Sequence, residues 1–206
     1  MPKILGICGS PRKGATEYAL EQALAGAGEN PEIETETILL KGKKINFCIH
    51  CDKCIREEAD RCTLYEDDMT PLYDTFYQAD GYIIASPVYD MSITAQLVAF
   101  FNRFRASYTI LKDNPQYFIR KTGAAMAVGG TRNGGQEMAI QVIHNFFHTM
   151  GMTVINGSMA GYAGASLWSK DKKAEGVKED KFGIQNATDL GKKAAAMVSL
   201  IGGSSS

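Results

Sequence analysis

The chain has 206 residues, 45% of them hydrophobic, with 22 basic and 23 acidic side chains and a formal net charge of -1. That length suits one well-filled α/β domain, the charge argues against a nucleic-acid surface, and no apolar run approaches the roughly 20 residues that cross a bilayer. A first strand expected from Lys3 leaves no room for a signal peptide, and five unexported cysteines point to the reducing cytoplasm.

Lys3 to Cys8 (KILGIC) is a short apolar run closed by Gly9-Ser10-Pro11, the pattern of a buried parallel strand. Ala15 to Ala27 places Leu20, Ala23, Leu24 and Ala27 on one helical face. Glu32 to Leu40 returns to strand alternation. Tyr82 to Ala85 is a further buried strand, expected to run out at Ser86-Pro87. Ile93 to Tyr108 reads as one helix with Leu97, Phe100, Phe101 and Phe104 inward. Thr122 to Val128 is a fourth strand, Gly135 to Met150 a helix, Thr153 to Asn156 a fifth strand and Thr188 to Ile201 the closing helix. This alternation predicts right-handed βαβ units in a doubly wound, five-stranded parallel sheet of flavodoxin-like order 2-1-3-4-5.

Residues 1–201 are expected to form a single domain, and the tail 202–206 (GGSSS) to be disordered. Two connections are out of scale for this fold. One is a cysteine-rich insertion after the second strand, residues 42–66. The other, Gly157 to Gly183, is rich in Gly, Ser and Lys and expected to lie on the surface, with Tyr162 and Trp168 either covering a ligand or anchoring the loop.

Within the first long connection Cys48, Cys51, Cys54 and Cys62 fall in fifteen consecutive residues, at spacing C-x2-C-x2-C-x7-C. Thiolates two residues apart converge on a metal centre from a tight turn, and ferredoxins use the same triple spacing for three ligands of a [4Fe–4S] cluster. Structural zinc also takes four cysteines, usually as two separated pairs, while a disulfide staple suits secreted domains. A catalytic thiol pair would need only two of the four. His50 lies inside the motif, where four thiolates already fill a site. His144 and His148, spaced i, i+4 without an acidic companion, read as packing or surface residues.

Three loops reach the carboxyl ends of the strands, where open parallel sheets bind ligands. The first, Gly9 to Thr16, offers the Ser10 and Thr16 hydroxyls, Arg12, Lys13 and a glycine at position 14 beside a helix start, a cradle suited to a monophosphate. The second, Ser86 to Met91, presents Pro87, Val88, Tyr89 and Asp90, with backbone N–H groups and an aromatic face for a flat ring. The third brings Gly129, Gly130, Arg132, Gly134 and Gly135, two glycine pairs around a polar centre that suit close backbone approach.

The set GSPRKG, SPVY and VGGTRNGGQE, together with the cysteine spacing, resembles the iron–sulfur flavoproteins of the NADPH-dependent FMN reductase family, from Lys3 to about Met197. The resemblance implies FMN held by the three loops and a [4Fe–4S] cluster on Cys48, Cys51, Cys54 and Cys62. It also implies a homodimer or homotetramer that passes electrons from a donor such as ferredoxin through the cluster to flavin. Ala15 stands where such proteins often carry asparagine, and the x7 gap before Cys62 is long for the group. No side chain is nominated as a catalytic acid or base. Two rival readings remain: an NAD(P)H-dependent FMN or quinone reductase whose cysteine loop holds zinc or no metal, and a flavodoxin-like interaction module without turnover.

Overall fold

In the computed structural model, which describes residues 1–159 and 161–202, parallel strands form one sheet with helices on both faces. The strands are β1 (Lys3–Cys8), β2 (Glu34–Leu39), β3 (Gly81–Pro87), β4 (Thr122–Gly129), β5 (Thr153–Ile155) and β6 (Ala165–Trp168). The path β2-β1-β3-β4-β5 matches the expected order, and β6 also pairs with β4. The central strands are apolar throughout because both faces are covered. One face packs on α1 (Ala15–Ala27), α7 (Lys173–Glu179) and α8 (Lys181–Gly202). The other packs on α3 (Leu72–Gln78), α4 (Ala95–Arg103) and α6 (Gln136–Met150), where Phe76, Phe100, Phe104 and Phe147 lie in the core. No helix among the described residues is long and apolar enough to cross a membrane.

Several boundaries differ from the expectation. β3 continues through Pro87 instead of stopping at Ala85. β1 already ends at the Cys8–Ala85 pair, so Pro87 faces past its last residue and its missing N–H leaves no ladder bond unmade. The single helix expected over Ile93 to Tyr108 is broken: α4 ends at Arg103, a 3₁₀ turn spans Phe104–Ala106, and α5 (Ser107–Asp113) follows. The Tyr73 hydroxyl donates to the Arg103 carbonyl at 2.8 Å, competing for the acceptor that would continue the helix.

The Gly157 to Gly183 stretch is not merely surface. It holds β6 and α7, and α8 begins at Lys181, not Thr188. Asp180 explains the early start, because its carboxylate accepts from the Gly183 N–H at 3.1 Å and from the Trp168 N–H at 2.8 Å. It therefore fastens the first turn of α8 to the sheet edge. β5 and β6 are two halves of one edge strand: the first pairs with Thr122 to Ala124, the second with Met126 to Gly129. Of the tail expected to be disordered, Gly202 closes α8 and residues 203–206 lie outside the described residues.

Candidate functional site

At the carboxyl ends of β1, β3 and β4 lies a cavity of about 250 Å³. Ser10, Arg12, Lys13, Gly14 and Thr16 line it from one side, and Pro87, Val88, Tyr89 and Gly130 from the other. Ser10 is buried and closes its turn on itself, its Oγ donating to the Arg12 carbonyl at 2.7 Å and accepting from the Arg12 N–H at 3.3 Å. Gly14 then caps α1 with φ 155, a conformation that favours glycine. No side chain caps this helix, so its first N–H groups are left for an anion, with buried Thr16 beside them.

The second loop ends in a tight hairpin. Tyr89 and Ser92 exchange backbone hydrogen bonds of 2.9 and 2.8 Å around Asp90 (φ 49) and Met91 (φ 61). Two residues with positive φ make the mirror-image turn that matches strand twist, and a methionine there is held under strain. Asp90 thus occupies the turn and does not line the cavity. Tyr89 lines it while remaining 40% exposed, a ring available from one side.

Gln136, the first residue of α6, organises the third loop. Its buried amide donates to the Thr131 carbonyl at 2.7 Å and accepts from the Gly134 N–H at 2.8 Å. Gly129 is the last residue of β4, its carbonyl held by the N–H and hydroxyl of Ser169. Trp168 Nε1 donates to the Gly130 carbonyl at 2.8 Å, and the Arg132 guanidinium lies 4.7 Å over the Trp168 ring. Arg132 and Gly135 line a neighbouring hollow with Met91, while Gly134 stays bonded to Gln136. Sequence reasoning did not find Ser169, Asp171 and Lys173, which enter the 250 Å³ cavity from beyond β6. The signal was present in ASLW, where Ala165 and Leu167 are buried and Ser166 is exposed.

The cysteine loop forms a second site. Cys48, Cys51, Cys54 and Cys62 all line one small enclosed cavity, with Tyr65 and Arg103 in its wall. Cys54 sits on the short α2 turn (Lys53–Arg56), entered through the left-handed residues His50 and Asp52. Burial pushes the Cys54 thiol up, and like-charge repulsion from Cys62, Cys48 and Cys51 adds to it. Side-chain contacts tie the loop down. Arg105 grips the Asp52 carboxylate at 2.9 Å, Lys53 reaches the Thr63 carbonyl at 3.0 Å, and the Tyr77 hydroxyl donates to the Asp60 carbonyl at 2.6 Å.

The donor set of this cavity is four cysteine thiols. Among the described residues no three His, Cys, Asp or Glu side chains are grouped to hold a single ion. Zinc would draw its four sulfurs to about 2.3 Å each, and hence to roughly 3.8 Å from one another. Four thiols lining one cavity, three of them at the x2 spacing that ferredoxins use, suit an iron–sulfur centre. His50 is exposed and does not line the thiol cavity, and His144 is buried within α6, its pKa lowered by burial and by His148.

A doubly wound sheet of this order with three loops converging at the strand ends defines a flavodoxin-like protein, of the class of FMN-dependent oxidoreductases. Residues 2–165 match the family model of the NADPH-dependent FMN reductases, and the chain belongs to that family. Membership sets aside the interaction-module reading. The chain is 42% identical over 184 residues to an iron–sulfur flavoprotein of Methanocaldococcus jannaschii, covering 89% of this chain and 90% of that one. It is 40% identical over 196 residues to an iron–sulfur flavoprotein of Archaeoglobus fulgidus, covering 95% and 96%. Among solved structures a flavone reductase superimposes with a TM-score of 0.66 at 21% identity, covering 97% of this chain and 64% of that protein, a likeness of fold.

Proposed function

We propose that this protein is an iron–sulfur flavoprotein that passes electrons between a one-electron donor such as ferredoxin and FMN through a [4Fe–4S] cluster. The observation that carries the reading is the four-thiol cavity, in which Cys48, Cys51, Cys54 and Cys62 share one enclosed space. FMN exchanges one or two electrons and an iron–sulfur cluster one, so the two together join one-electron donors to two-electron chemistry.

The chain's own residues supply position and electrostatics. The free N–H groups of α1, the Ser10 and Thr16 hydroxyls and the charges of Arg12, Lys13 and Lys173 surround the place for the FMN phosphate. Tyr89 offers its ring to the isoalloxazine, and the third loop, pinned by Gln136 and braced by Trp168, closes the far side. Electron transfer of this kind needs no side chain to act as an acid or base. Exposed Phe47 and Ile49 flank Cys48, and a hollow of about 400 Å³ between Phe101, Tyr108 and Phe146 adjoins the same cysteine. These apolar surfaces support a homodimer or homotetramer in which the cysteine loop meets the FMN of a neighbouring subunit. A strictly monomeric, fully active protein by analytical ultracentrifugation would sink that arrangement.

The test is protein purified without oxygen and assayed for iron, sulfide, zinc and FMN. About four iron and four sulfide per chain with FMN is the expected result, the content of a [4Fe–4S] cluster. One zinc or no metal beside FMN would instead leave an NAD(P)H-dependent reductase.

A further inference from the structure

One charged side chain in the wall of the thiol cavity has more donors than the fold uses. Arg103 ends α4 with its side chain fully enclosed, at 0% exposure. Its Nη1 donates to the Asn46 carbonyl at 3.0 Å and to the Asp67 carboxylate at 2.6 Å. Its Nε and Nη2 are buried and have no partner. The guanidinium keeps its proton at any ordinary pH, so these are charged donors without acceptors. Leaving such a donor buried and unbonded is unfavourable, the more so when the group is charged.

Tying the loop to α4 through Asp67 needs only one edge of the fork. The remaining edge belongs to a side chain that lines the same cavity as Cys48, Cys51, Cys54 and Cys62. Tyr65 covers the guanidinium from one side, its ring centre 5.3 Å from the central carbon. Nε and Nη2 have no acceptor of their own, and sulfur carrying negative charge is the acceptor that a cluster provides.

We propose that Arg103 is the tuning residue of the cluster: its Nε and Nη2 donate to sulfur in the occupied cavity, and its charge offsets the electron that the cluster accepts. The inference rests on the iron–sulfur reading above. In the step concerned, one electron passes from a one-electron donor of the ferredoxin class to the cluster, which gains one negative charge while the donor is oxidised. No proton moves and no bond to a leaving group breaks. A fixed positive charge beside that gain makes reduction easier, and hydrogen bonds to sulfur act in the same direction.

The experiment is a redox titration with dithionite and mediators, followed by electron paramagnetic resonance, on anaerobically purified holoprotein. Wild type is compared with Arg103→Lys, Arg103→Gln and the double variant Arg103→Gln/Asp67→Asn, which removes both charges of the buried pair. At fixed poise the reduced-to-oxidised ratio of the cluster is expected to fall at least tenfold in Arg103→Gln, about 59 mV for a one-electron couple, and to fall less in the double variant, where loss of the Asp67 negative charge offsets part of the change while the hydrogen bonds to sulfur are still lost. Arg103→Lys keeps a charge but loses the fork, and is expected to fall less in the same direction. The FMN content should stay at the wild-type level. Wild-type potentials in Arg103→Lys and in whichever glutamine variant folds with full iron overturn the proposal, and Arg103→Lys alone decides if neither does. Absence of iron and sulfide from the wild-type protein would instead retire the cluster reading itself.

Discussion

The backbone N–H of Cys62 donates to the Tyr73 hydroxyl at 3.3 Å, and that hydroxyl donates in turn to the Arg103 carbonyl. A single phenol on α3 therefore fixes the cysteine that arrives last in the motif, after the longest gap. Tyr73→Phe keeps the ring packed in the core and removes only this link. The expected loss is about 1–3 kcal/mol of stability, because a buried amide and a carbonyl lose their shared partner. Urea denaturation measures it, and the iron-to-FMN ratio of the variant should fall below that of wild type.

Gln136 holds the third loop through both ends of its amide. Gln136→Leu preserves volume but strands the Gly134 N–H and the Thr131 carbonyl. FMN affinity, followed by the quenching of flavin fluorescence, is expected to weaken about tenfold, a change of about 1.4 kcal/mol. An unchanged affinity would show that the loop holds its shape without the amide.

Thr16 is buried beside the start of α1 and lines the 250 Å³ cavity. Thr16→Val is nearly isosteric and removes one hydroxyl. Hydrogen bonds to charged groups contribute about 1.5–3 kcal/mol, so FMN is expected to bind about tenfold more weakly or worse. The same substitution should leave binding of riboflavin, which has no phosphate, where it was.

Asp67 carries the pH dependence of the cysteine loop. Burial works to raise its pKa, yet hydrogen bonds from Arg103, Asn46 and Met69 outweigh it and hold the carboxyl below its ordinary value. A depressed folded pKa means the contribution is complete above the unfolded value, near about 3.9, and is lost as pH falls through the folded one. The urea midpoint should therefore drop as pH is lowered below about 4. Asp67→Asn should be less stable at neutral pH and show a shallower acid dependence.

Cys8 lies in β1 at 2% exposure, and burial pushes its thiol up to about 11. Reactivity follows the thiolate, so this residue is expected to resist iodoacetamide at pH 8 while the protein is folded. Peptide mass spectrometry should find label on Cys48, Cys51 and Cys62 in metal-free protein, and on Cys8 only after unfolding.

The parts that were legible in sequence are those in which local pattern and global fold agree. β1 and β4 are apolar runs bounded by turn residues, and the four cysteines announce their convergence by spacing alone. α4 was read too long because the apolar pattern runs on through Phe104, while the break depends on a hydrogen bond from Tyr73, thirty positions away in sequence. β6 was missed for a related reason. Its four residues sit in a stretch of Gly, Ser and Lys, and only pairing with β4 makes them a strand. With β6 went Ser169, Asp171 and Lys173, whose place in the cavity depends on that pairing. Arg103 could be seen as a helix residue, but nothing local shows that it turns inward to the cysteines.

The divided edge strand has a consequence for how such a chain can change. The sheet is left after Ile155 and rejoined at Ala165, opposite Ala124 and Met126, so the detour departs and returns across the single position Ala125. Gly164 makes the return possible, since any side chain there would strike the Ala125 carbonyl. Both ends of the detour are thereby nailed to neighbouring rungs, and its length is of no concern to the ladder. Exposed positions such as Met159 and Tyr162 are free to vary without disturbing the cofactor cradle, whereas a side chain at Gly157 or Gly161 would strike the Gly164 carbonyl, so the detour keeps its turn while its rim changes.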